Sequence, residues 1–88
     1  MALDSPEMKR FKSLNFDEIC QVLGVKENQL FELPSPYTAY YYTLKRTGLY
    51  EVYKENYNYQ HICFGFLWAL LNPNHWIKVE KVLDEYAP

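Results

Sequence analysis

The spacing of apolar residues along this chain changes period several times, and each change predicts a boundary. Phe16, Ile19, Cys20 and Leu23 recur at i, i+3, i+4 and i+7, the single stripe of an amphipathic helix. Asn15 and Glu18 supply the two halves of a capping box, and Leu14 is placed to staple onto Ile19. Gly24 and Val25 supply the left-handed stop and the apolar contact of a Schellman ending. These features predict a helix over about 15–24. From Gln29 to Leu33 the period drops to two, Phe31 and Leu33 pointing one way and Leu30 and Glu32 the other, until Pro34 and Pro36 end the strand.

Ala39 to Lys45 and Leu49 to Lys54 are tyrosine-rich, β-branched runs joined by Lys45-Arg46-Thr47-Gly48, the composition of a hairpin. Tyr40, Tyr42 and Leu44 share one face of it, with Tyr41 and Thr43 on the other. In its second strand Leu49, Glu51 and Tyr53 oppose Tyr50, Val52 and Lys54, so aromatic rings fall on both faces. Glu55 to Tyr59 is a polar loop in which Asn58 is a candidate cap.

Gln60 to Leu71 is the longest apolar run and the stretch the rest is expected to cover. Both periods compete in it, and its length favours a helix over 60–71, apolar nearly all round and ended by Asn72-Pro73. His75 to Glu80 alternates and predicts a last strand, and Lys81 to Pro88 is a tail whose Val82, Leu83 and Tyr86 can dock. The sum is an α+β fold, α-β-β-β-α-β, with a small, mainly antiparallel sheet packed by helices. Residues 1–12 lack periodicity and read as a flexible arm before a single domain over 13–88.

Length limits the core. A chain of 88 residues buries roughly 60–65% of its unfolded surface, enough for one core. Eleven acids against nine bases leave a net charge of −2, and Lys9, Arg10 and Lys12 form the main basic cluster, so a phosphate-backbone binder is disfavoured. Met1 to Met8 carries Asp4, Pro6 and Glu7 where a signal peptide needs an apolar centre, and the apolar run is too short to span a bilayer. A cytoplasmic protein without a membrane partner is expected.

Candidate chemistry is sparse. His61 and His75 are not spaced as metal ligands, and no pair of cysteines forms a C-x-x-C motif. Cys20 and Cys63 both fall on predicted apolar helix faces, where a thiolate is disfavoured, although a bridge between them stays open. Asp17 and Glu18 suit the start of a helix dipole. The glycines are scattered, so there is no phosphate-cradling loop, and neither an enzyme nor a cofactor is expected. Phe64-Gly65-Phe66 lacks the basic context of an RNA-recognition signature, and core packing accounts better for its rings.

The strongest functional signal is a surplus of rings: the sequence has nine tyrosines, five phenylalanines and two tryptophans, more than one helix stripe and one sheet face can hide. Tyr37, Tyr41, Tyr50, Phe64 and Trp68 are the candidate partner-binding residues on this reasoning. The competing account has Leu14, the arm and Tyr86 cover them.

Phe16-Asp-Glu-Ile-Cys-Gln-Val-Leu-Gly-Val-Lys-Glu-Asn-Gln-Leu-Phe-Glu-Leu, Thr47-Gly-Leu-Tyr and Leu70-Leu-Asn-Pro-Asn-His-Trp-Ile-Lys-Val together resemble small accessory proteins of phages and prophages of Gram-positive bacteria. The Trp-Lys-Pro and Gly-Glu-x-Tyr-Tyr tail that such proteins often carry is replaced here by Leu83-Asp-Glu-Tyr-Ala-Pro. The resemblance implies a phage accessory product, a class that includes anti-CRISPR and other inhibitors of host defence, and it carries over no catalytic residues. The expectation is a non-enzymatic binder that occludes a host protein such as a defence nuclease. The alternatives are an oligomeric sponge for small nucleotides, with Lys45, Arg46 or Lys54 on the phosphates, and a regulatory nucleic-acid binder.

Overall fold

The computed structural model describes residues 14–72 and 77–88, apart from the side chain of Phe64. The expected arm over 1–12 lies outside the described residues, as do His75 and Trp76. The elements in chain order are α1 (Phe16–Leu23), β1 (Gln29–Glu32), β2 (Tyr40–Lys45), β3 (Gly48–Tyr53), β4 (Tyr59–His61), α2 (Phe64–Leu71) and β5 (Lys81–Tyr86). The strands form one sheet in the order β4-β3-β2-β1-β5, every neighbouring pair antiparallel. The fold is α+β.

Local chemistry explains α1. The Asn15 side chain accepts from the Glu18 backbone at 2.9 Å, and the Glu18 carboxylate accepts from the Asn15 backbone at 3.1 Å. Two of the helix's orphan donors are thereby satisfied. At the other end Gly24 is left-handed at φ 73, its N–H donating to Cys20 and Gln21, while Val25 N–H also donates to Cys20. The stop costs little because glycine has no Cβ to clash there.

The main core lies between the helices and one face of the sheet. Cys20, Leu23 and Val25 meet Phe31 and Leu33 from β1 and its continuation, Tyr42, Leu44 and Leu49 from the hairpin, Leu67, Leu70 and Leu71 from α2, and Ile77. Burying a leucine fully is worth about 1.5–3 kcal/mol, so this cluster supplies most of the drive to fold. Phe66 stacks on Tyr42 with centroids 6.1 Å apart and planes at 7°, and takes the edge of Tyr37 at 5.3 Å. Burial, with the Glu51 carboxylate nearby, pushes the Tyr42 phenol well above the ordinary tyrosine range.

The expected helix over 60–71 is shorter than predicted. Gln60 and His61 instead belong to β4, which pairs with β3 as Tyr50↔His61, Glu51↔Gln60 and Val52↔Tyr59. The helix starts at Phe64 with Cys63, in extended conformation, as N-cap. Asn58 does not cap it: its carbonyl accepts the Tyr53 N–H, closing the β3–β4 turn. Residues 60–71 are thus two elements, the polar, exposed Gln60-His61 ending β4 and the apolar stretch from Phe64 forming the helix, so the length of the whole run overstates the helix. Cys63 is accordingly exposed and Cys20 buried, and both are free thiols.

The last strand also differs from expectation. Ile77 is buried and Val79 packs on the main core, so their alternation reports burial, but residues 77–80 are not in a strand. Lys81–Tyr86, read as a tail, is the strand, paired with β1 through Gln29↔Tyr86, Phe31↔Val82 and Glu32↔Lys81 with an irregularity between. An edge strand can be held by backbone bonds without a hydrophobic signature. Here Glu80 N–H donates to Glu32, Ala87 N–H to Asn28, and the Gln29 amide to the Leu83 carbonyl at 2.8 Å.

Asn28 ties these parts together. It is left-handed at φ 66, its N–H donates to Leu44, and its carboxamide donates to the Ala87 carbonyl while accepting from Lys45 Nζ at 2.6 Å. Asparagine tolerates that conformation better than other side-chain-bearing residues do.

Candidate binding face of the sheet

The helices pack on one face of the sheet, and the opposite face has no helix over it among the described residues. Strand register sets what that outer face carries. Leu30 lies opposite Thr43, Thr43 opposite Tyr50, and Tyr50 opposite His61, while Tyr41, Val52 and Tyr59 form the adjacent row. Leu30, Thr43 and Val52 are wholly buried without an overlying helix. Tyr41, Tyr57, Leu83 and Ala87 pack over Leu30 and Val52, forming a thin second layer.

Tyr57 joins that layer through an unusual backbone. It is left-handed at φ 59, a conformation costing a bulky residue about 1–2 kcal/mol. The turn is held by Tyr57 N–H donating to Tyr53 at 2.9 Å, and the ring meets Tyr41 at 6.0 Å. Its hydroxyl donates to Glu85 at 2.9 Å, a bond that raises the Tyr57 phenol above its ordinary value. Lys54 lies 5.0 Å above the Tyr41 ring and pairs with Glu32.

A second group of rings gathers toward the hairpin tip. Tyr50 stands edge-on to Tyr59 at 5.7 Å and to His61 at 5.1 Å, and its hydroxyl bonds Thr47 Oγ1 at 2.6 Å. His61 Nε2 lies 3.1 Å from the Thr47 carbonyl, so this nitrogen carries the proton. Gly48, at φ 138, leaves room for the imidazole; a Cβ there would run into it. Lys45 lies 5.0 Å over the Tyr59 ring. Arg46 turns away to α1, 3.5 Å from Glu27 and 3.9 Å from Asp17, over the Phe16 ring.

The candidate residues named from sequence do not form one surface. Tyr41 and Tyr50 belong to the outer face. Tyr37 and Trp68 are half-buried and pack against the main core on the helix side. The Phe64 side chain lies outside the described residues. Tyr57, Tyr59 and His61 complete the outer face and were not singled out. Their i, i+2, i+4 spacing was the signal, hidden by assigning the segment to a loop and a helix. Among the described residues the exposed tyrosine rings are Tyr59 at 45%, Tyr53 at 47% and Tyr86 at 49%.

Among the described residues no group of three or more His, Cys, Asp or Glu is placed to hold a metal, and no helix is long and apolar enough to cross a membrane. Comparison with protein-family models, with curated proteins and with solved structures finds no match to this chain.

Proposed function

We propose that this protein is a non-enzymatic binding module and that its outer, tyrosine-lined sheet face is the docking surface. The observation that carries this reading is the one-sided placement of both helices, which among the described residues leaves Tyr41, Tyr50, Tyr57, Tyr59 and His61 as the outermost layer. Tyrosine offers large contact area with few rotors to freeze and a hydroxyl for orientation, properties favoured at protein interfaces. Taken with the resemblance to phage accessory proteins, the reading is that the partner is a host macromolecule, a defence nuclease in the first instance, occluded by this face.

The test substitutes Tyr41→Ser and Tyr50→Ser together and measures inhibition of candidate host nucleases beside thermal unfolding. Inhibition by the wild type, lost in a variant that still unfolds cooperatively, supports the reading. Inhibition that survives the double substitution rejects this face as the surface.

A second reading rests on Lys45 and Lys54, each placed over a tyrosine ring. Rings and ammonium groups in alternation suit a stacked base and its phosphate, as in a sponge for small nucleotides. Glu32 already neutralises Lys54, which leaves Lys45 the better phosphate contact. Calorimetry with cyclic and adenine nucleotides separates the readings: no heat at millimolar nucleotide eliminates the sponge.

A further inference from the structure

The two edges of the sheet are protected unequally. β5 carries Lys81, Asp84 and Glu85 and meets β1 with an irregular register, both familiar ways to discourage pairing with another chain. β4 reads Tyr59-Gln60-His61, without lysine, carboxylate or proline, and all three residues are exposed.

The ladder fixes which backbone groups of β4 face outward. Ile62 N–H donates to Leu49, and Tyr53 N–H donates to Asn58, each at 2.9 Å. Hydrogen-bonding direction alternates along a strand, so Asn58, Gln60 and Ile62 point their N–H and C=O groups at β3. Tyr59 and His61 point theirs away from β3, symmetrically about Gln60, to an edge that no other strand covers among the described residues. A two-fold axis beside Gln60 would set Tyr59 of one copy against His61 of another, each pair exchanging N–H···O=C bonds in both directions.

We propose that β4 pairs antiparallel with β4 of a second copy of this chain, making one continuous sheet across the two. Self-pairing suits this edge because its free groups repeat themselves under the two-fold and because it brings no like charges together. Tyr59 would lie beside His61 of the second copy, extending the outer ring cluster across the axis. Gln60 would face its own counterpart on the helix side in a non-hydrogen-bonded pair, where Cα atoms approach to about 4.5 Å and side chains are closest. The proposal is independent of what docks on the tyrosine face, and the Gln60 variants that test it leave that face untouched, because Gln60 lies on the helix side.

The axis through Gln60 makes the test specific. Gln60 donates to Glu51 at 2.6 Å, a contact that lysine can replace, so Gln60→Lys should keep the fold while setting like charges against each other. Gln60→Glu, made in a Glu51→Gln background so that amide and carboxylate change places, does the same with opposite sign. Sedimentation equilibrium of the full chain up to millimolar concentration is expected to show a monomer–dimer equilibrium, weakened at least tenfold by either substitution. An equimolar mixture of the two variants should restore association, because unlike charges then meet at the axis. Tyr59→Pro removes an outward N–H without breaking a β3 ladder bond, though it also loses the ring contacts with Tyr50 and Lys45, and should abolish dimerisation in a chain that still unfolds cooperatively. A wild type that stays monomeric throughout overturns the proposal, as does a dimer indifferent to the charge at position 60.

Discussion

Leu44 and Leu30 are almost equally hidden, at 1% and 0% exposed, yet they lie on opposite sides of the same sheet. Leu44 belongs to a cluster that draws on both helices, three strands and Ile77. Among the described residues Leu30 shares its cluster with Val52, Ala87 and a cover of Tyr41, Tyr57 and Leu83. Among those residues one face is closed by helices and the other by a thin layer of side chains. Solvent exposure does not distinguish the two; the thickness of what lies above does.

That contrast is open to direct attack, and the largest effect should come from truncating the two leucines. Leu44→Ala is expected to destabilise by about 3–5 kcal/mol, the upper part of the range for core leucines, because rigid elements surround the cavity. Leu30→Ala should cost about 2–3 kcal/mol, since tyrosine rings can settle into the space. Urea unfolding of both variants measures the difference; equal losses would mean that the outer layer is as rigid as the helix side.

Next comes Gly48→Ala, expected to cost about 1–3 kcal/mol from positive φ and from displacing His61. Adding His61→Ala relieves the collision but not the backbone strain, so the double variant should recover part of the loss. Full additivity would show that the imidazole does not rest on the glycine.

The smallest effect is read by pH. Tyr42 on the helix side and Tyr57 on the outer side both hold their protons above the ordinary phenol value, Tyr42 chiefly by burial and Tyr57 chiefly through its bond to Glu85. The unfolded chain releases these protons near pH 10, so their contribution is complete below that value and is lost as pH climbs through the folded values. Stability should therefore decline in strong alkali, and Tyr42→Phe should flatten the decline. Glu85→Gln should lower the Tyr57 titration, followed by phenolate absorbance, and leave Tyr42 in place.

The helix side was largely legible in the sequence, because its elements announce themselves locally. Asn15, Glu18 and Gly24 delimit α1, and the alternation through Tyr40 to Lys54 assigned each hairpin residue to its observed face. The outer face was legible only in part. Tyr41 and Tyr50 came from the hairpin, but Tyr59 was assigned to a loop and His61 to a helix, because β4 is short and polar and leads directly into the apolar stretch of α2. β5 left no trace in hydrophobicity, since an exposed edge strand is selected by backbone pairing more than by burial. Tyr37 and Trp68 were named as surface because a ring count says how much aromatic area exists and not which rings the core takes.

Asn28 concentrates several dependencies in one carboxamide. Through it the residue after β5 and the tip of the hairpin are fastened to the entry to β1. Asn28→Ala would release the Ala87 carbonyl and the Lys45 ammonium together, while the backbone bonds of residue 28 to Leu44 and Ala87 would hold, so the terminal strand is loosened and not freed. A probe placed on β5 would thus report on the chemistry of the tyrosine cluster from the far side of the sheet.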